Sequence, residues 1–204
     1  MHRSLPLLLV AILVCPPLVF AQATASTTTP GQVFPAEQQI AAAVLALPDN
    51  LQPGATVLGY SAERKLVLLR KGTNSMICLA DDPGAPSFHV ACYHESMEPF
   101  MLRGRELRAS GVTGEQVDTV RFKEVKEGKI KMPVHPAMLY SLSGPAGSYD
   151  PATGKVTGAR PLFVTYIPFA TPESTGLPAI PSKGKPWIMF PGTPKAHIMF
   201  SPDM

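Results

Sequence analysis

The sequence predicts an α+β fold: an antiparallel sheet built from hairpins, two or three helices, and proline-rich loops in the C-terminal half. Three observations predict it. Extended apolar segments crowd residues 55–95 and 135–201, and helical patterns sit before and between these blocks instead of alternating with single strands, which separates α+β from doubly wound α/β architecture. The chain's 23 prolines cluster after position 130, where fixed φ and missing N–H donors disfavour helices and leave short strands and irregular loops. No glycine-rich turn joins a strand to a helix, which argues against a nucleotide-binding fold.

The elements follow in order. Residues 35–47, PAEQQIAAAVLAL, read as a helix: Pro35 suits its first turn, alanines favour it, Ile40, Val44 and Leu47 share a face, and Pro48 ends it. ATVLGY (55–60) and KLVLLR (65–70) form a predicted hairpin around residues 61–64. Gly72-Thr73-Asn74 is a turn signal before a third strand, SMICLA (75–80), and the loop DDPGAP (81–86) leads into a fourth, SFHVACYHE (87–95). Pro99, with Ser96 three positions before it, opens a helix over 97–109. Phe100, Met101 and Leu107 are its inward residues, with Arg103, Arg105 and Arg108 facing solvent or paired with carboxylates. Thr113 and Gln116 make a capping box for a further helix, closed by Gly128, whose alternating Lys and Glu read as a solvated face. HPAMLYSLSG (135–144), GKVTGARPLFVTYIPFA (154–170), PWIMF (186–190) and AHIMFS (196–201) are the later strands. YDPATGKV (149–156) is a turn built on Asp-Pro and Gly154.

The N-terminus carries Arg3, an apolar run from Leu5 to Phe20 and small Ala21, the build of a secretory signal peptide spanning 1–21. Pro6, Pro16 and Pro17 interrupt that run, which argues against a retained membrane span. Val14 is too bulky for lipidation at Cys15. Residues 22–32 are a polar, flexible lead-in, and 33–204 form one globular domain. Without Arg3 the charge falls from +3 to 17 − 15 = +2, too mild for a nucleic-acid partner. Hydrophobic residues at 45 % and charged ones at 16 % exclude a disordered chain.

The stretch HVACYHE (89–95) gathers His89, Cys92, His94 and Glu95, which poses a choice between a metal site and a structural cysteine. In an oxidising compartment Cys78 and Cys92 pair by default. If they face each other across an antiparallel hairpin, opposed residue numbers sum to 170 and the loop centres on Ala85, inside DDPGAP. Strand parity then sends His89 to the face opposite His94, and the bridge removes Cys92 as a ligand or nucleophile. No metal and no cofactor is expected, and His94 with His197 is the alternative metal pair. The chain has no G-x-S-x-G elbow; SLSG (141–144) lacks its first glycine and reads as a turn.

The stretches RKGTNSMIC (70–78) and PWIMFPGTPKAHIM (186–199), with AMLYSLSG and YDP between them, resemble a family of exported bacterial proteins of uncharacterised function. The resemblance implies that Gly72, Thr73, Asn74, Pro191, Gly192, Thr193 and His197 belong to one unit. A functional reading brings Asn74, Thr193 and His197 together at one pocket, and with His94 from HVACYHE they make the candidate pocket Asn74, His94, Thr193 and His197, against the plainer reading that both motifs are turns. The expected function is non-catalytic binding of a small ligand or a partner protein in the cell envelope. The alternatives are an envelope hydrolase or metal-dependent enzyme using His94 and His197, and a structural subunit of an envelope assembly.

Overall fold

The structure, a computed structural model, describes residues 31–181 and 184–200. The predicted signal peptide 1–21, Cys15 and nearly all of the lead-in lie outside the described residues. The α+β class holds, and the sheet is larger than a set of hairpins. Eight strands share one sheet: β1 (Thr56–Tyr60), β2 (Leu66–Arg70), β3 (Met76–Leu79), β4 (Ser87–His94), β5 (Ala137–Pro145), β8 (Arg160–Tyr166), β9 (Trp187–Met189) and β10 (His197–Phe200). Their order is β2-β1-β3-β4-β5-β8-β10-β9, and β6 (Tyr149–Asp150) pairs with β7 (Lys155–Val156) in a separate ribbon. The long strand expected over 154–170 is therefore two strands, broken at 157–159.

One pairing departs from the all-antiparallel expectation. β1 pairs with β2 antiparallel but with β3 parallel, Val57 facing Cys78. The chain leaves β2 at the end where β1 begins and crosses beneath it to climb on the other side. Gly72-Thr73-Asn74 makes that crossing. Thr73 N and Asn74 N both donate to Gly54 O, at 2.7 and 2.9 Å, and Arg70 donates to Ala55 O and Gln52 O at 2.9 and 2.7 Å. A Cβ on Gly72 would lie 2.3 Å from Thr56 N and 2.4 Å from Gly54 O, so only glycine fits between these backbones.

Each face of the sheet has its own cover. On one, α1 (Ala36–Val44) and Tyr149 pack over Val57, Cys78, Phe88, Val90 and Cys92. The buried side of α1 is Gln39, Ala42, Ala43 and Val44. The expected Ile40, Val44 and Leu47 pack on the same cluster, Leu47 just past the helix end, and the small alanines among them let the helix lie close on the sheet. Gly144, expected in a turn, is a β5 residue opposite Phe88, and a Cβ there would meet Ser148 Oγ at 2.4 Å. Its bareness lets the β6–β7 ribbon fold back over this face.

The other face carries α2 (Glu98–Ala109) and α3 (Gln116–Lys126), whose Phe100, Met101, Phe122 and Val125 pack with Tyr93, Leu139, Val164 and Met199. The Thr113 capping box does not form: the N-cap of α3 is Glu115, with no side-chain cap bond. Gly128 closes the helix region at φ +74 as expected. The charged residues of α3 are only partly a solvated face. Arg121 is buried, its guanidinium 3.9 Å above the Phe100 ring and paired with Asp118, while Asp118 also holds Lys195 Nζ at 2.8 Å.

Candidate functional site

The first side chain to consider is Gln39, a buried polar residue in the middle of α1. β3 ends at Leu79, so Tyr60 at the end of β1 has no strand partner on that side. The Gln39 amide takes the partner's place. Tyr60 N donates to its Oε1 at 2.7 Å, and its Nε2 donates to Tyr60 O at 2.9 Å and to Phe34 O at 2.7 Å. Gly59 makes the approach possible, since a Cβ there would sit 2.5 Å from Gln39 Oε1. One amide thus ties the helix, the sheet and the incoming segment 31–34 together, each bond contributing on the order of 1 kcal/mol.

That tie shapes one side of a groove of about 430 Å³, within the range of small-molecule sites. Its other sides are the loop 81–87, Phe88 and the turn 146–149. Phe88 stacks on Tyr149 with ring centroids 6.4 Å apart, and Phe34 meets Tyr149 edge-on at 6.5 Å, so three aromatic rings form a continuous apolar wall. Asp81 and Asp82 stand at the rim, and no Lys, Arg or His is among the described lining residues. Asp81 Oδ1 accepts from His89 N at 2.8 Å, and Asp82 Oδ1 accepts from Gly84 N at the same distance. Burial pushes the Asp81 carboxyl up from its ordinary value. Burial, together with the two carboxylates, also pushes the nearby Tyr60 phenol up to about 12. The groove therefore favours an apolar body with a neutral or cationic end and repels anions.

The residues singled out from sequence lie elsewhere. Cys78 and Cys92 form the expected disulfide, both fully buried, in the expected register: Met76 faces His94, and Leu79 faces Ala91. The grouping of Asn74, His94, Thr193 and His197 does not occur. Three strand steps separate His94 on β4 from His197 on β10, roughly 14 Å at the usual spacing. The row Tyr93–Leu139–Val164–Met199 runs along the face under α2 and α3. His197 shares that face with Met199, and His94 shares the opposite face with Cys92. The His94–His197 metal pair and the hydrolase built on it fall with this parity.

Each of the four has a local task instead. Asn74 accepts from Met76 N at 3.0 Å and donates to Leu51 O at 2.8 Å. His94 Nδ1 accepts from Ser96 N at 3.3 Å, at the head of the short 3-10 turn Glu95–Met97. Thr193 closes the β9–β10 turn, donating to Phe190 O at 2.7 Å. His197 Nδ1 lies 2.7 Å from Lys195 O; a carbonyl only accepts, so Nδ1 carries the proton. Burial pushes that imidazole down from its ordinary range.

The arginines of α2 pair with carboxylates. Arg103 forks onto Glu124 with both contacts at 2.7 Å, and Arg105 binds Glu98 at 2.6 Å and Tyr93 OH at 2.7 Å. Among the described residues, no three His, Cys, Asp or Glu side chains converge as a metal ion requires. The groove residues were missed because Phe34, Phe88 and Tyr149 are far apart in sequence and carry no spacing signal. The doubled aspartate of DDPGAP, and a glutamine set among the buried alanines of α1, were the available cues. No protein-family model, curated protein or solved structure matches the chain.

Proposed function

We propose that this protein is an exported, disulfide-braced binding domain of the cell envelope that holds a small apolar ligand with a neutral or cationic end. The observation that carries the reading is the aromatic-walled groove with two carboxylates and, among the described residues, no cation in its lining. The described lining supplies shape and charge but no nucleophile beside a base, which favours binding without chemistry. The signal-like N-terminus, the buried disulfide and the resemblance to exported proteins support the compartment.

The test uses a graded set of probes with one eight-carbon chain: octyltrimethylammonium, octanol and octanoate. Calorimetry is expected to rank them cation, then alcohol, with octanoate weakest. Asp81→Asn with Asp82→Asn removes the preference for the cation, and Ala146→Trp, which fills the groove from an exposed lining position on the turn, abolishes binding. Equal binding of all three, or binding that survives Ala146→Trp, refutes the assignment. Turnover of a broad hydrolase panel that a single point mutant abolishes would replace it with an enzymatic reading at a site other than His94–His197.

A further inference from the structure

The two edges of the eight-stranded sheet are treated differently. At one, β9 is three residues long and flanked by Pro186 and Pro191, and Ile188 N on its outer side donates to Pro178 O at 2.9 Å. Short length, prolines and a covering loop are the usual protections of a sheet edge. At the other, β2 has five residues, LVLLR, with no proline. Leu66, Val67 and Leu68 are 36 %, 38 % and 57 % exposed, and among the described residues no backbone group beyond β1 reaches Leu66–Leu69. An open apolar edge is a template for another strand.

Charge decides which strand fits. Arg64 and Lys65 precede the apolar centre, Arg70 and Lys71 follow it, and Glu63 is the one carboxylate in the stretch. Among the described residues, the contacts of Arg64 and Arg70 are with backbone carbonyls, at Gly31, Ala55 and Gln52, and no carboxylate pairs with either. In an antiparallel pairing of two copies centred on Leu68, Lys65 of each would face Lys71 of the other. Shifting the register by one sets Arg64 against Lys71 and Lys65 against Arg70. Directly opposed like charges destabilise a strand pair, so the edge rejects its own copy. An extended segment with an apolar centre and acidic flanks meets cations at both ends and leucines between.

We propose that β2 is a docking edge for an extended segment of a partner protein whose alternating apolar centre is flanked by acidic residues. Backbone pairing supplies affinity, and Arg64, Lys65, Arg70 and Lys71 select the partner and its register. This site lies at the sheet edge and is independent of the groove.

The test is an array of capped strand peptides with a common Val-Thr-Val-Thr-Val centre and flanks of Asp-Glu, Ser-Thr or Lys-Arg, read against the purified protein. Acid-flanked peptides are expected to bind about tenfold or more tighter than the others at low salt, with the advantage shrinking as salt screens the pairs. Hydrogen exchange should show new protection at the Leu66 and Leu68 amides, which point away from β1, only when the peptide is present. Lys65→Glu with Lys71→Glu should invert the flank preference, and Leu68→Lys should abolish binding while the melting temperature stays put. The proposal is overturned by equal binding of all flanks, by no binding, by protection at β9 in place of β2, or by Leu66 and Leu68 amides already protected in the free protein.

Discussion

Replacing Gln39 by leucine tests whether one amide holds the groove together. The side chains are of similar size, so packing against Ala42 and Ala43 is kept and the hydrogen bonds are the perturbation. Three are lost: those to Tyr60 N, Tyr60 O and Phe34 O. At about 1 kcal/mol net for each, with the orphaned Tyr60 groups adding and the apolar gain of leucine subtracting, the cost is roughly 2–3 kcal/mol. For a domain of this size that lowers the melting temperature by about 5–10 °C. Urea unfolding followed by circular dichroism measures the free energy, and hydrogen exchange at the Tyr60 amide locates it. Octyltrimethylammonium affinity should fall as well, because the segment carrying Phe34 loses its anchor. A Gln39→Leu protein with an unchanged midpoint and a still-protected Tyr60 amide would refute the reasoning.

The remaining predictions concern stability elsewhere. Removing both half-cystines with Cys78→Ala and Cys92→Ala opens a loop with a sequence separation of 14 and should cost about 3 kcal/mol by chain entropy; thiol titration before reduction should find neither sulfur reactive. Gly72→Ala should cost roughly 2–4 kcal/mol through its backbone clash, whereas Gly84→Ala, whose Cβ would meet only Asp82 Oδ1 at 3.3 Å, should be near neutral; equal urea midpoints for the two would disprove the crossing's tightness. Burial holds the His197 imidazole below its ordinary 6.5, so between the folded and unfolded values the unfolded chain binds a proton the native state refuses. Its stabilisation is full above 6.5 and is lost as pH falls through the folded value, so His197→Gln should flatten the acid slope of the stability curve.

Features written in neighbouring residues were the legible ones. The 170-sum register came from two cysteines and a turn signal, and every β3–β4 pair obeys it. The hairpin of β1 and β2 and the closing Gly128 are likewise local, whereas α1 ends at Val44, short of the end expected at Pro48. The parallel seating of β3 beside β1 was not legible, because turn chemistry at Gly72-Thr73-Asn74 says that the chain reverses but not on which side it returns. Thr113 loses its capping role because tertiary packing starts α3 nearer Gln116. The four proposed pocket residues were each polar and each near a turn, which local bracing explains without a shared cavity. The groove's aromatic wall comes from three separate elements, and only the sheet's pairing brings Phe34, Phe88 and Tyr149 together.

The sheet order has a consequence for how the chain assembles. Strands β1 to β4, residues 56–94, occupy one contiguous half of the sheet, and β5, β8, β10 and β9, residues 137–200, occupy the other. Each half pairs within its own stretch of sequence, so most strand contacts close over short loops, and such contacts form early. A single seam, β4 with β5, joins the halves through seven residue pairs, and the intervening α2 and α3 lie across it. The disulfide lies wholly inside the first half, so oxidation can lock that half before the second has docked. Two fragments divided in the loop near Gly111, between the helices, should therefore recombine along one β4–β5 zipper, the first arriving with its bridge already made.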